Sequence, residues 1–163
     1  MQNRLTHEFE LFSFESFKTL LDHEVNRSRR YKSPLTLVQL AIETNPDRPE
    51  ILHSAEMFAI NILDVQLRDT DVSCRKGNEF LILMPATDEP GGRIVCERLA
   101  GLFNAEHQTY DRVSFNLAVF VGMASIAGDA PLSSTKLLKQ AATAMQHAQT
   151  NRKSTAVIFS EIT

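Results

Sequence analysis

Apolar residues recur along this chain first at helical and then at strand spacing, and the switches between the two periods lay out the elements. Phe14, Phe17, Leu20, Leu21 and Val25 stand near helical spacing within residues Phe14 to Tyr31, and a basic end follows at Arg27, Arg29 and Arg30. Ser33-Pro34 breaks that helix, because proline disfavours the helical region for the residue before it. Leu35 to Ile42 is short, apolar and rich in β-formers, the pattern of a strand covered on both faces. Pro46 and Pro49 mark a polar turn. A second helix runs from Glu50 to Leu67, with Ala55, Phe58, Ile62 and Val65 on one face.

Val72 to Arg75 and Glu79 to Met84 read as two strands joined by a tight turn at Lys76-Gly77-Asn78, where glycine and asparagine tolerate positive φ. Gly91 to Phe103 is predicted as a third helix and Val113 to Met123 as a long strand. Ser133 to Thr150 is an alanine-rich fourth helix, with Ser133 or Ser134 available as its cap. Ala156 to Phe159 closes the series as a short strand. The resulting order, α-β-α-β-β-α-β-α-β, predicts an α/β (α+β) domain with a mixed central sheet of about five strands surrounded by helices.

Composition narrows the class. The 163 residues are 43% hydrophobic and 23% charged, which suits one globular domain over residues 1–163, its core at about 11–160. Apolar runs such as Leu117 to Val121 are far too short for a membrane span, and the N-terminus lacks the apolar core of a signal peptide, so a cytoplasmic address is expected. A net charge of −3 gives no general attraction to DNA. Cys74 and Cys96 suit small core residues in a reducing compartment, and the five histidines show no ligand spacing. Gly91-Gly92 opens a helix but lacks the continuation of a phosphate loop.

Arg75 to Pro85, RKGNEFLILMP, resembles the signature hairpin of GGDEF domains, the diguanylate cyclase family, in which RYGGDEF precedes an apolar strand and a proline. Glu24 to Leu35 (EVNRSRRYKSPL), Ile94 to Leu99 (IVCERL) and Ala141 to Lys153 (AATAMQHAQTNRK) resemble three further family stretches, in order. The resemblance covers about Leu11 to Phe159 and implies the nucleotidyl-cyclase-like fold.

The departures carry as much information. In working cyclases two carboxylates hold two metal ions over the GTP phosphates, because polyanionic phosphate approaches carboxylate only across a hard cation. The resemblance puts the first-strand carboxylate at Ala41, which has no ligand atom, and a second acidic position at Glu43. It puts the phosphate-binding Phe-Lys pair near Asn45 and Pro46, the guanine-reading Asn and Asp near Pro49 and Phe58, and the phosphate-binding lysine at Gln149. Glu79 is retained in a signature one residue short. A catalytically inactive, metal-free domain is therefore expected.

One binding motif survives. Arg68-Asp69-Thr70-Asp71 fits the family's RxxD inhibitory site, which takes an intercalated dimer of cyclic di-GMP. A guanidinium fork matches O6 and N7 of guanine or pairs with phosphate, and a carboxylate accepts from guanine N1–H and N2–H. The resemblance adds Arg98 from the next helix and Arg27 from a neighbouring protomer. The leading reading is thus a cyclic di-GMP receptor that signals through a homodimer or a fused or partner regulatory domain. The alternatives are a vestigial fold serving only protein contacts, or a residual enzyme or GTP sensor.

Overall fold

The computed structural model describes residues 12–44, 48–105, 108–128 and 132–162. The expectations at Leu11, Asn45 and Pro46, and the histidines at 7 and 107, lie outside them. Helix α1 spans Phe14–Tyr31, strand β1 Leu35–Glu43, α2 Glu50–Gln66, β2 Val72–Lys76, β3 Glu79–Pro85 and α3 Glu89–Phe103. A small hairpin of β4 (Gln108–Tyr110) and β5 (Val113–Phe115) follows, then β6 (Ala118–Ile126), α4 (Ser134–Thr150), β7 (Val157–Ile158) and a 3₁₀ turn at Phe159–Glu161.

The main sheet has the order β2-β3-β1-β6-β7, antiparallel throughout except for the parallel pair β6/β7. Strand β1 lies at its centre and is apolar on both faces because each face meets a helix layer. Val38, Leu40 and Ile42 join the core that contains Ile51 and Leu63 of α2 and Cys96 and Leu99 of α3. Leu35 and Leu37 join the core that contains Phe17 and Leu21 of α1 and Leu137 and Ala141 of α4. A period of two in the strand therefore serves two cores at once.

Side-chain caps fix the helix starts. Ser13 accepts from the backbone N–H of Ser16 at 3.1 Å, Asp88 from Gly91 at 2.8 Å and Ser133 from Lys136 at 3.2 Å. The Asp88 cap lets α3 begin at Glu89, two residues before the predicted start. At the β2–β3 turn Gly77 has φ +64° while Lys76 and Glu79 pair directly, so only the first of the two turn residues takes positive φ. Gly122 of β6 is set by close approach: a Cβ there would stand 2.1 Å from the backbone nitrogen of Met145 in α4.

The predicted strand Val113 to Met123 is two strands. β5 turns back on β4, and β6 crosses the main sheet after a break at Asn116-Leu117. The Asn104 side chain secures the new start, accepting from Val119 N–H at 2.9 Å and donating to its carbonyl at 3.1 Å.

Candidate functional site

Helix α2 ends at Gln66, and Leu67 leaves it in an extended conformation, which throws Arg68 to Asp71 into a tight turn before β2. The turn is closed twice. Asp71 N–H donates to the Arg68 carbonyl at 3.0 Å, and Arg68 N–H donates to Asp71 Oδ2 at 2.8 Å. The guanidinium folds over the same carboxylate, with Nη2 2.9 Å from Oδ1. Nη2 also donates to the Pro85 carbonyl at 3.1 Å and to Thr87 Oγ1 at 2.7 Å. Arg68 is thus held in one orientation from below while 55% of its side chain faces solvent.

The turn that supplies two of those acceptors is itself unusual. Ala86 has φ +52°, a left-handed conformation that costs a residue with a Cβ about 1 kcal/mol. Thr87 holds the turn through its hydroxyl, donated to Pro85 O at 3.0 Å, and through its carbonyl, which accepts from the buried Thr36 hydroxyl at 2.8 Å. Thr36 lies 2.7 Å from Ser125 Oγ, so the Arg68 platform is tied across β1 to β6.

Above Arg68 lies a cleft of about 890 Å³ whose far wall is the last two turns of α1, including Glu24, Arg27 and Tyr31. Arg27 and Arg68 line the same cleft; Arg27 is exposed and 3.6 Å from Glu24. The two arginines therefore reach one space within a single chain. A smaller depression on the other side of Arg68, about 310 Å³, shares Pro34, Arg68 and Ala86 with the first and reaches Asp88 and Gly91 at the start of α3.

The remaining two site residues, Asp71 and Arg98, are not among those that line the cleft. The Asp71 side chain is only 3% exposed, and both its oxygens are engaged by Arg68. Arg98 lines neither depression; it reaches across to the carbonyl of Gln66 at 3.5 Å, at the last turn of α2. Tyr31 and Thr87 had no signal in the motif itself. The helical spacing of Glu24, Arg27, Ser28 and Tyr31 could have shown that they share a stripe.

The hairpin end of the sheet is bound up by its own side chains. Ala41 is fully buried and pairs with Glu79 in the β1–β3 ladder. Glu79 Oε1 accepts from Gln39 Nε2 at 2.7 Å, and Glu43 is paired with Arg152 at 3.0 Å. Arg152 also stacks over Phe120, its guanidinium carbon 4.6 Å from the ring centre. Phe58 stands edge-on to Phe103 and Phe115 as a core aromatic. Arg75 pairs with Glu56 and donates to the Gly77 carbonyl at 2.9 Å, which pins the hairpin tip to α2. Among the described residues no three His, Cys, Asp or Glu side chains are grouped to hold a metal ion.

The two thiols lie in the cores. Burial pushes Cys74 up to about 11 and Cys96 up to about 12, the opposite of nucleophilic activation. Among the described residues no helix is long and apolar enough to cross a membrane.

The family model described as "Diguanylate cyclase, GGDEF domain" matches residues 57–155, more than half of the chain. The chain is similar in fold to the GGDEF domain of DgcB from Caulobacter crescentus in complex with c-di-GMP, with TM-score 0.82, 12% identity and 99% of each chain covered. The active GGEEF domain of a diguanylate cyclase from Vibrio cholerae gives TM-score 0.76 at 16% identity, covering 92% of this chain and 98% of that one. The FimX GGDEF domain from Pseudomonas aeruginosa gives 0.74 at 15%, covering 91% and 94%. No curated protein sequence matches the chain.

Proposed function

This chain belongs to the GGDEF, or diguanylate cyclase, family, and we propose that it is a member that has exchanged catalysis for binding: a cyclic di-GMP receptor built on the Arg68 cleft. The observation that carries the reading is the state of Arg68. A guanidinium clamped by Asp71, Pro85 and Thr87, yet more than half exposed beside a cleft that also holds Arg27, is preorganised for guanine or phosphate. The Caulobacter crescentus neighbour was solved with c-di-GMP bound, which makes the same ligand the first to test.

Support for a lost cyclase reaction comes from the opposite end of the sheet. Ala41 offers no ligand atom, Glu43 is committed to Arg152 and Glu79 to Gln39. The position expected to read guanine is filled by Phe58, packed against two other rings. A second reading, a module for protein contacts alone, draws on Val65 and Ile94, which are 70% and 64% exposed on α2 and α3.

Thermal denaturation separates the two. Cyclic di-GMP at about one hundred times its dissociation constant stabilises a receptor by ~2.7 kcal/mol, raising Tm by about 5–11 °C. Arg68→Ala abolishes the shift, and incubation with GTP and Mg²⁺ yields no cyclic product. A shift that survives Arg68→Ala, or no shift at any concentration, removes the receptor reading; cyclic product removes the inactive one.

A further inference from the structure

The Arg68 cleft contains one feature that charge recognition leaves unused. Tyr31 lines it with 65% of its surface exposed, among the most exposed large apolar side chains described. Its hydroxyl makes no hydrogen bond within the described residues; what holds the ring is the Arg30 guanidinium, 5.6 Å from its centre. The α1 residues that line the cleft are Glu24, Arg27, Ser28 and Tyr31, at i, i+3, i+4 and i+7, so they form one stripe. Seven residues of helix advance about 10 Å, the span of a nucleotide, with Arg27 about 6 Å along the axis from Tyr31. The facing wall is apolar where it can meet a ring: Pro34, Leu35, Pro85 and Ala86.

We propose that the Tyr31 ring is a stacking platform for a purine base, with Arg27 and Arg68 taking the adjoining phosphates, so that the cleft selects a base-bearing phosphodiester over bare phosphate. Glu24 is the carboxylate on the same stripe, and it takes the base-edge acceptor role that the burial of Asp71 leaves open. This inference rests on the cleft being the cyclic di-GMP site. A base on an exposed aromatic ring gains from a π-face that every base possesses, whereas an isolated phosphate gains nothing from it.

The composition supplies the probe. The chain has no tryptophan and two tyrosines, Tyr31 and Tyr110. Tyr110 sits in the β4–β5 hairpin, packed against the core on the α2–α3 side. In a Tyr110→Phe background all emission comes from Tyr31, and cyclic di-GMP is expected to quench it saturably after absorbance correction, while inorganic pyrophosphate leaves it unchanged. Calorimetry on the same full chains should show Tyr31→Ala weakening cyclic di-GMP about tenfold and Tyr31→Phe restoring it to within about twofold. Calorimetric binding without quenching, quenching by pyrophosphate, or Tyr31→Ala binding as tightly as the parent overturns the stacking role and leaves the receptor standing. Absence of calorimetric binding in the parent chain overturns the receptor reading itself, and the stacking role with it.

Discussion

Asp71→Ala removes a carboxylate that is almost completely covered yet bonded to Arg68 through both oxygens. Two effects on stability can be worked from the geometry. Loss of the acceptor for Arg68 N–H, a turn-closing bond at 2.8 Å, costs about 1 kcal/mol, as for a lost helix cap. The ion pair adds about 0.5 kcal/mol, discounted because solvent screens the half-exposed arginine. Together they lower Tm by about 3–6 °C. The effect on binding comes through Arg68. Without Asp71 the guanidinium keeps only the Pro85 carbonyl and Thr87 Oγ1, and part of its rotamer entropy of about 2 kcal/mol has to be lost again when ligand arrives. Affinity for cyclic di-GMP should then fall about tenfold, or ~1.4 kcal/mol.

The double-mutant cycle with Arg68→Lys isolates that route. Lysine has no planar fork for Asp71 to orient, so in the lysine background Asp71→Ala should change affinity less than about twofold. Titration calorimetry on the four proteins reads the coupling. Equal tenfold losses in both backgrounds would mean that Asp71 touches the ligand itself, and the positioning argument would be refuted.

Two further outcomes concern the scaffold. Gly122→Ala places a Cβ against backbone atoms of Ala144 and Met145 that cannot turn aside, so it should cost about 3 kcal/mol and lower Tm by about 6–12 °C; an unchanged melting curve would show that β6 and α4 are not in such close contact. The buried thiols hold their protons in the folded state to about 11 and 12, above the ordinary thiol value of about 8.5 that the unfolded chain has. Above that value the unfolded chain binds fewer protons than the native one, so stability is complete below pH ~8 and falls from there towards pH 11. Urea titrations across this range should show the slope, and neither thiol should react with a disulfide reagent at pH 8 before unfolding.

The fold was legible because its elements are locally consistent. The helix Phe14–Tyr31 has its apolar stripe and its stop at Ser33-Pro34, and β1 is apolar on both faces because it meets two cores. The β4–β5 hairpin was not, since strands of three residues carry too few alternations to register, and the bond that separates β5 from β6 comes from Asn104, fifteen positions away from Val119. In the site, Arg68 and Asp71 were legible as a motif, but not that one buries the other. The Arg68 guanidinium bonds to Asp71 and to Pro85 and Thr87 at the far end of β3, and the β2–β3 register, with Val72 opposite Leu83, brings that end within reach. The Tyr31 position was hidden inside a basic run whose cleft-facing members appear only once α1 stands across the cleft from Pro34 and Pro85.

Isothermal titration of the purified chain with cyclic di-GMP, with Arg68→Ala and GTP plus Mg²⁺ run in parallel, decides whether the Arg68 cleft takes this ligand. Saturable binding at micromolar concentration or tighter, lost in Arg68→Ala and absent with GTP, is the expected result for a receptor. Heats indistinguishable from dilution for cyclic di-GMP, or equal binding by the Arg68→Ala protein, would contradict it.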